Sequence, residues 1–405
     1  MEVQNQMKNS LRRAITVTAV AATALSLASL PALASTKKAG NPDPYFTWDT
    51  QLKQSATIAG AGSSFAAPLQ NAAQAEYQSR DSNATISAYQ AVGSGTGETD
   101  IVKKLVDWGG SDVPMAQSDI NSKEPAGANY SVSQFLQVPI GLGGVGIAYN
   151  VPGLSSKVKL NLTAAVLASI YEGKITTWNN SAIEALNKGV KLPDKKIVVV
   201  ARGDSSGTTY IFTNFLNAAA PSVWTTAPSK SPLVLPSGGL NPQLNGGVAN
   251  DIASTPGAIG YVEYSYILLN GKLASGTANI LNKSGKYVAP STKSIATAAA
   301  ADPNVSSTAF SIVNEPGAGA YPIVGYTWAI IWKVSQINDN EGTLLVKYLD
   351  WLSHSGTGGA IGGQNIAAEQ GYVPLPANIQ ALATKTLLQC TGGANHAVLL
   401  QKSAS

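Results

Sequence analysis

The chain reads as an α/β protein with parallel sheets. Two observations predict this. A unit of short apolar strand, Gly/Ser-rich loop and helix occurs three times, with loop serines at Ser64, Ser94 and Ser206. A chain of 405 residues also exceeds what one core usually organises, so two domains are expected.

The elements follow in order. Lys8, Arg12 and Arg13 precede an uncharged run over 14–30, and Ala32-Leu-Ala34 closes it with a small-x-small pattern. That is a secretory signal over 1–34, too rich in Ala, Thr and Ser for a membrane span. Ser35 follows the expected cut, so no lipid-anchor cysteine stands there. The mature chain is expected to be periplasmic or secreted. Residues 35–54 read as a loose leader. A strand is expected over 56–59, a turn over 60–65, and a helix over 66–77 with Pro68 tolerated in its first turn. Residues 84–90 alternate as a strand, 93–97 read as a turn, and 99–106 as a helix.

The apolar run 137–149 reads as a strand able to pass between domains. Helices are expected over 160–170 and 181–188, with a turn over 171–178. The β-branched run 197–200 reads as a buried strand, and Ile211, Phe212, Phe215 and Leu216 mark one face of the helix that follows. Residues 227–247 look like loop, 248–253 helix and 260–264 strand. The stretch 270–320 shows no clear pattern. A strand over 326–332 could cross back, and 344–353 is an amphipathic helix.

Composition excludes several chemistries. The formal charge is +4, only 12% of residues are charged, and no basic tract suggests nucleic acid. Cys390 is the only cysteine, so no intrachain disulfide can form. The only histidines, His354 and His396, exclude a His-rich zinc site. A serine-protease-like triad would have to use one of them, and neither sits in a hydrolase motif.

The most informative segment is Arg202-Gly-Asp-Ser-Ser-Gly-Thr-Thr209. Arg202 stands where a strand ends. Asp204, Ser205 and Ser206 are helix N-cap types, and Gly207-Thr208 opens the helix. Guanidinium, hydroxyls and free helix N–H groups then meet at one point, which suits a metal-free site for a tetrahedral oxyanion. Arg202 and Asp204 read either as a surface ion pair or as an anion fork whose guanidinium Asp204 holds in place.

Gly60-Ala-Gly-Ser-Ser-Phe65 lacks the Gly-Lys-Ser/Thr ending of a nucleotide loop. Alone it reads as a turn. Beside the other loops, the Ser64 hydroxyl and the Phe65 N–H become anion donors. Gly141, Gly143 and Gly146 match a dinucleotide fingerprint in spacing, but no helix opens after them, so close packing or hinge freedom is the better reading. Asp112, before Val113-Pro114, reads either as a turn former or as a carboxylate that accepts a proton from its ligand. Phosphate at neutral pH carries such a proton; sulfate does not.

Taken together, these motifs resemble the periplasmic phosphate-binding proteins of high-affinity phosphate ABC transporters. The resemblance runs from about Thr57 to Pro376. It includes Gly60-Ala-Gly-Ser-Ser-Phe-Ala-Ala-Pro68, Tyr89-Gln-Ala-Val-Gly-Ser-Gly95, Gly109-Gly-Ser-Asp-Val-Pro114, Tyr171-Glu-Gly-Lys-Ile-Thr-Thr-Trp178, Arg202-Gly-Asp-Ser-Ser-Gly-Thr208 and Pro256-Gly-Ala-Ile-Gly-Tyr-Val-Glu-Tyr264. It implies a type II periplasmic-binding fold: two α/β lobes, two hinge crossings and a ligand cleft. The lobes would be 55–150 with 326–385, and 151–325, leaving 386–405 as a tail. The resemblance implies inorganic phosphate as ligand, an ABC-type permease as partner, and neither cofactor nor metal nor enzymatic activity. It assigns the anion to Ser64, Phe65 (backbone N–H), Ser94, Asp112, Arg202, Ser206, Gly207 (backbone N–H) and Thr208, with Asp204 behind Arg202. The alternatives are a secreted phosphatase with Ser206 as nucleophile, or a binder of another oxyanion.

Overall fold

Short β-branched and small-residue runs make short strands here, and the two long apolar runs make long ones. The protein is described by a computed structural model over residues 52–302, 306, 311–356, 361–394 and 396–401. The expected signal and all but the last residues of the leader lie outside the described residues.

The strands are β1 (Ala56–Ile58), β2 (Gly60–Gly62), β3 (Ala84–Ile86), β4 (Gln90–Ala91), β5 (Trp108–Ser111), β6 (Phe135–Tyr149), β7 (Asn161–Leu162), β8 (Val198–Val200), β9 (Ala258–Glu263), β10 (Asn279–Leu281), β11 (Tyr287–Val288) and β12 (Val324–Trp332). Seven of them form one sheet in the order β4-β2-β5-β12-β6-β9-β8. Its ends are parallel: β2 pairs with β4 and β5 in parallel, and β8 with β9. Its middle is antiparallel, because β12 runs against both β5 and β6, and β6 against β9. The expectation of parallel sheets is therefore corrected to a mixed sheet. The loop–helix units make the parallel ends; the long strands that cross between them run in opposite directions.

β6 belongs to both ends. Its residues 135–144 pair with β12, and 145–149 pair with β9. Every residue of β6 and β12 is buried, which is why both read as continuous apolar runs without alternation. Gly141, Gly143 and Gly146 lie inside β6, and a Cβ on them would meet Leu69, Phe65 and Ile267 at 3.1, 2.7 and 2.2 Å respectively. They are packing glycines.

Several boundaries differ from expectation. The run 84–90 splits into β3 and β4, which belong to different sheets, while Tyr89 turns into the core. The expected turn at 93–97 is the first part of a helix, Ser94–Val102, entered through Gly93 at φ 88°. Glycines open this helix because it presses on the next backbone: a Cβ on Gly97 would lie 2.4 Å from Gly62 Cα. Residues 160–163 carry β7 and the Thr163 cap before the helix Ala164–Tyr171. The helix expected from 248 begins earlier, as Leu244–Ser254. The amphipathic helix runs Asp339–Ser353, with Asn338 Oδ1 accepting from Glu341 N at 2.9 Å.

One large hydrophobic cluster runs through both ends of the sheet and includes Trp108, Trp178, Phe212, Tyr326 and Tyr348. Cys390, Leu399 and Leu400 join it, so the described part of the expected tail packs into the core.

Candidate functional site

Three loops at strand carboxyl ends meet. The first follows β2, where Gly62 at φ 147° turns the chain into Ser63 and Ser64 ahead of the helix Ala67–Arg80. The second is the start of the helix Ser94–Val102. The third follows β8 and opens the helix Gly207–Ala219, whose N-cap Ser206 accepts from Thr209 N at 3.2 Å.

Ser94 joins the second and third loops. Its Oγ accepts from Gly207 N at 3.1 Å and from Asp112 N at 3.4 Å. Gly207 must be glycine because a Cβ there would sit 2.5 Å from Asp112 Cβ and 2.8 Å from Ser94 Oγ. Asp112 lies just past β5, so the sheet order brings it between the other loops. Its Oδ2 accepts from Ser63 Oγ at 2.7 Å and Ser94 Oγ at 3.4 Å, while its Oδ1 is buried without a hydrogen bond. Burial pushes its pKa up to about 6, against the pull of the Ser63 and Thr327 hydroxyls, Arg202 and Ser94. The Phe65 N–H donates to Ser63 Oγ at 3.0 Å.

Arg202 is 1% exposed, which rules out the surface-pair reading. Its Nε donates to Asp204 Oδ1 at 2.7 Å and its Nη2 to Asp204 Oδ2. Its backbone N–H donates to Tyr261 OH at 3.1 Å, and its Nη1 reaches Thr208 Oγ1 at 3.4 Å. The bidentate pair locks the guanidinium plane and leaves Nη1 on the Thr208 side. Ser64, Ser94, Asp112, Arg202, Ser206, Gly207 and Thr208 are all buried within this connected network, with Phe65 beside them.

Four participants escaped sequence reading. Ser63, the neighbour of Ser64, donates to Asp112. Asn245, at the start of the helix Leu244–Ser254, bonds to Ser64 and Thr208. Its only sequence signal was an Asn before Gly-Gly in what looked like loop. Glu263 ends β9 fully buried; its Oε2 accepts from Ser265 N at 2.9 Å and from Ser265 Oγ, and its Oε1 has no partner. Burial pushes Glu263 up to about 8, against the Ser265 hydrogen bonds and with the help of nearby Asp112. A lone carboxylate in the apolar run of β9 was the missed signal. Lys230 forms the last contact: its Nζ lies 2.8 Å from Glu98 Oε2 and 2.8 Å from Asp119 Oδ1, and its carbonyl accepts from Ser206 N at 2.8 Å.

Among the described residues no cluster of His, Cys, Asp and Glu could hold a metal ion, and no helix is long and apolar enough to cross a membrane.

Comparison with known proteins places the chain in a family. A family model described as a PBP superfamily domain matches residues 47–354. A phosphate-binding protein PstS of Pasteurella multocida is 33% identical over 328 residues, covering 80% of this chain and 88% of the relative. One of Xylella fastidiosa is 35% identical, covering 80% of this chain and 83% of the relative. Among solved structures, a phosphate-binding protein from Stenotrophomonas maltophilia superposes with a TM-score of 0.63 at 21% identity, covering 85% of this chain and 99% of that one. The fold is the type II periplasmic-binding fold, in which two α/β lobes share two crossing strands. The chain belongs to the PBP superfamily and, within it, to the family of the phosphate-binding proteins named PstS.

Proposed function

We propose that this chain captures inorganic phosphate outside the cytoplasmic membrane and delivers it to an ABC-type permease. The observation that carries the reading is the convergence of Ser64, Ser94 and Ser206–Thr208 on one buried arginine and one under-bonded buried carboxylate.

The chemistry follows from the inventory of groups. Neutral N–H and O–H donors dominate, so a dehydrated anion would meet fixed dipoles rather than bulk charge. Arg202 supplies one full positive charge, partly balanced by Asp204. Asp112 is then the selective element. A phosphate that still carries a proton can donate it toward Asp112, whereas sulfate would face the carboxylate with no proton between them. The names of the relatives support phosphate, and the N-terminal signal pattern supports an extracytoplasmic address.

In this reading 55–150 and 326–385 form one lobe and 151–325 the other. The switch of β6 from β12 to β9 near Val145 supports a hinge there. A binder rather than a phosphatase is supported by the bonding of Ser206, whose Oγ accepts the helix-capping bond from Thr209. It is also supported by His354, whose ring nitrogens lie against Asp350 O and Thr384 Oγ1.

Calorimetric titration of the purified chain with phosphate and with sulfate tests the proposal. Saturable phosphate binding with sulfate far weaker is expected. Equal binding of both anions, or of neither, would overturn it. Arg202→Ala should lose at least roughly tenfold in phosphate affinity, about 1.4 kcal/mol; a smaller loss removes Arg202 from the site.

A further inference from the structure

We infer that Asn245 is a positioning residue that sets the direction of two hydroxyl protons in the site, making Ser64 and Thr208 obligate donors to the anion. The inference rests on the phosphate-binding reading and extends it to a residue outside the three loops.

The argument is one of valence. A serine or threonine hydroxyl carries one proton and two lone pairs. Ser64 Oγ receives the Asn245 backbone N–H at 3.1 Å and the Asn245 Nδ2–H at 3.1 Å. Thr208 Oγ1 receives Asn245 Nδ2–H at 3.1 Å and Arg202 Nη1–H at 3.4 Å. Both lone pairs of each hydroxyl are thereby engaged, and each can only give its proton away.

The orientation of the amide is itself determined. Asn245 Oδ1 accepts from Glu263 N at 3.1 Å, so a flipped amide would set two donors against each other there. The residue is fully buried, which makes an unmatched amide expensive. It is presented by Leu244, at φ 63°, whose N–H donates to Asp204 Oδ1 at 3.0 Å. One turn therefore serves both the aspartate that orients Arg202 and the two hydroxyls.

The consequence is a division of labour. Ser64 and Thr208 accept nothing from the ligand, so the oxygens facing them must be unprotonated. Asp112 is left as the carboxylate acceptor. The site then recognises the position of the single proton on the anion, not only its charge. An alanine at 245 would free a lone pair on each hydroxyl and let its proton turn away from the anion.

A thermodynamic cycle tests this. Phosphate affinity is measured by calorimetry for the parent chain, Asn245→Ala, Thr208→Val and the double variant, with ligand-free melting temperatures recorded alongside. Asn245→Ala is expected to weaken phosphate about tenfold in the parent and clearly less, about threefold, in the Thr208→Val background, because the shared hydroxyl is already gone. Equal factors in both backgrounds, or no loss in the parent, overturn the inference. If Asn245→Ala does not fold, Asn245→Leu, close in shape and without donor or charge, takes its place in the same cycle with the same decision. Failure of the parent chain to bind phosphate overturns the functional reading itself, whereas binding without coupling overturns only the role of Asn245.

Discussion

Asp112 and Glu263 are two buried carboxyls with different tasks. Asp112 is partly satisfied by Ser63 and Ser94, and its Oδ1 has no hydrogen bond; in the proposed reading that oxygen meets the proton of the ligand. Replacing it by asparagine adds a donor where the ligand proton would point. Asp112→Asn is expected to raise sulfate affinity relative to phosphate, and an unchanged ratio in parallel titrations would remove Asp112 as the discriminator. Glu263 sits behind the site against Phe65 and Ser265. Burial pushes its pKa up to about 8, well above the ordinary carboxylate range, so the folded chain holds a proton there that the unfolded chain releases. Stability from this group is present below the unfolded value and is lost as pH rises through about 8. Glu263→Gln should flatten the fall in melting temperature between pH 6 and 8.5; the same slope in both proteins would contradict a buried, protonated Glu263.

At the scale of elements, the third loop is tied to the second by charge as well as by Ser94. Lys230, in the segment after the helix Gly207–Ala219, meets Glu98 of the helix Ser94–Val102 and Asp119 of the helix Gln117–Asn121. Burial works against its charge, but the two carboxylates prevail and hold its pKa above the ordinary lysine value. Glu98 is fully buried, accepts from Ser111 Oγ at 2.8 Å and lies 3.2 Å from Lys123 Nζ, so removing Lys230 takes away the nearer of its two cations. Lys230→Ala is expected to weaken phosphate binding by about tenfold or more, chiefly through faster dissociation, because it loosens the contact between loops rather than the anion contacts. Stopped-flow displacement would show this, and an unchanged dissociation rate would deny the bridge any part in retention. Much of this level was legible in advance. Strand–loop–helix units and the cap types of Ser206 follow from local propensity. The first turn of the helix Ser94–Val102 was not, because its glycines, in contact with Gly62 and Ser205, look like a turn.

For the whole molecule, the C-terminal segment closes the core. Cys390 is buried, and burial pushes its thiol up to about 12, while its backbone neighbour Thr391 pairs with Val334 just past β12. The thiol is expected to react with an aromatic disulfide reagent only at the rate of unfolding, and rapid labelling of the folded chain would show that this segment does not pack as described. Truncation before Val398 exposes the pocket filled by Leu399 and Leu400, each a buried aliphatic side chain worth about 1.5–3 kcal/mol.

The amino-acid sequence by itself determined the α/β class of the fold and the three serine-bearing loops, and it singled out Arg202, Asp204 and Asp112, because these rest on local signals: β-branched runs, cap residues and charged groups at strand ends. Only the tertiary structure decided that the sheet is mixed, that Ser63 and Asn245 bond to Asp112, Ser64 and Thr208, and that Glu263 is fully buried. Those facts depend on which strands become neighbours. β6 and β12 bring residues more than a hundred positions apart within hydrogen-bond reach, and a contact of that kind leaves no periodicity in the chain to read.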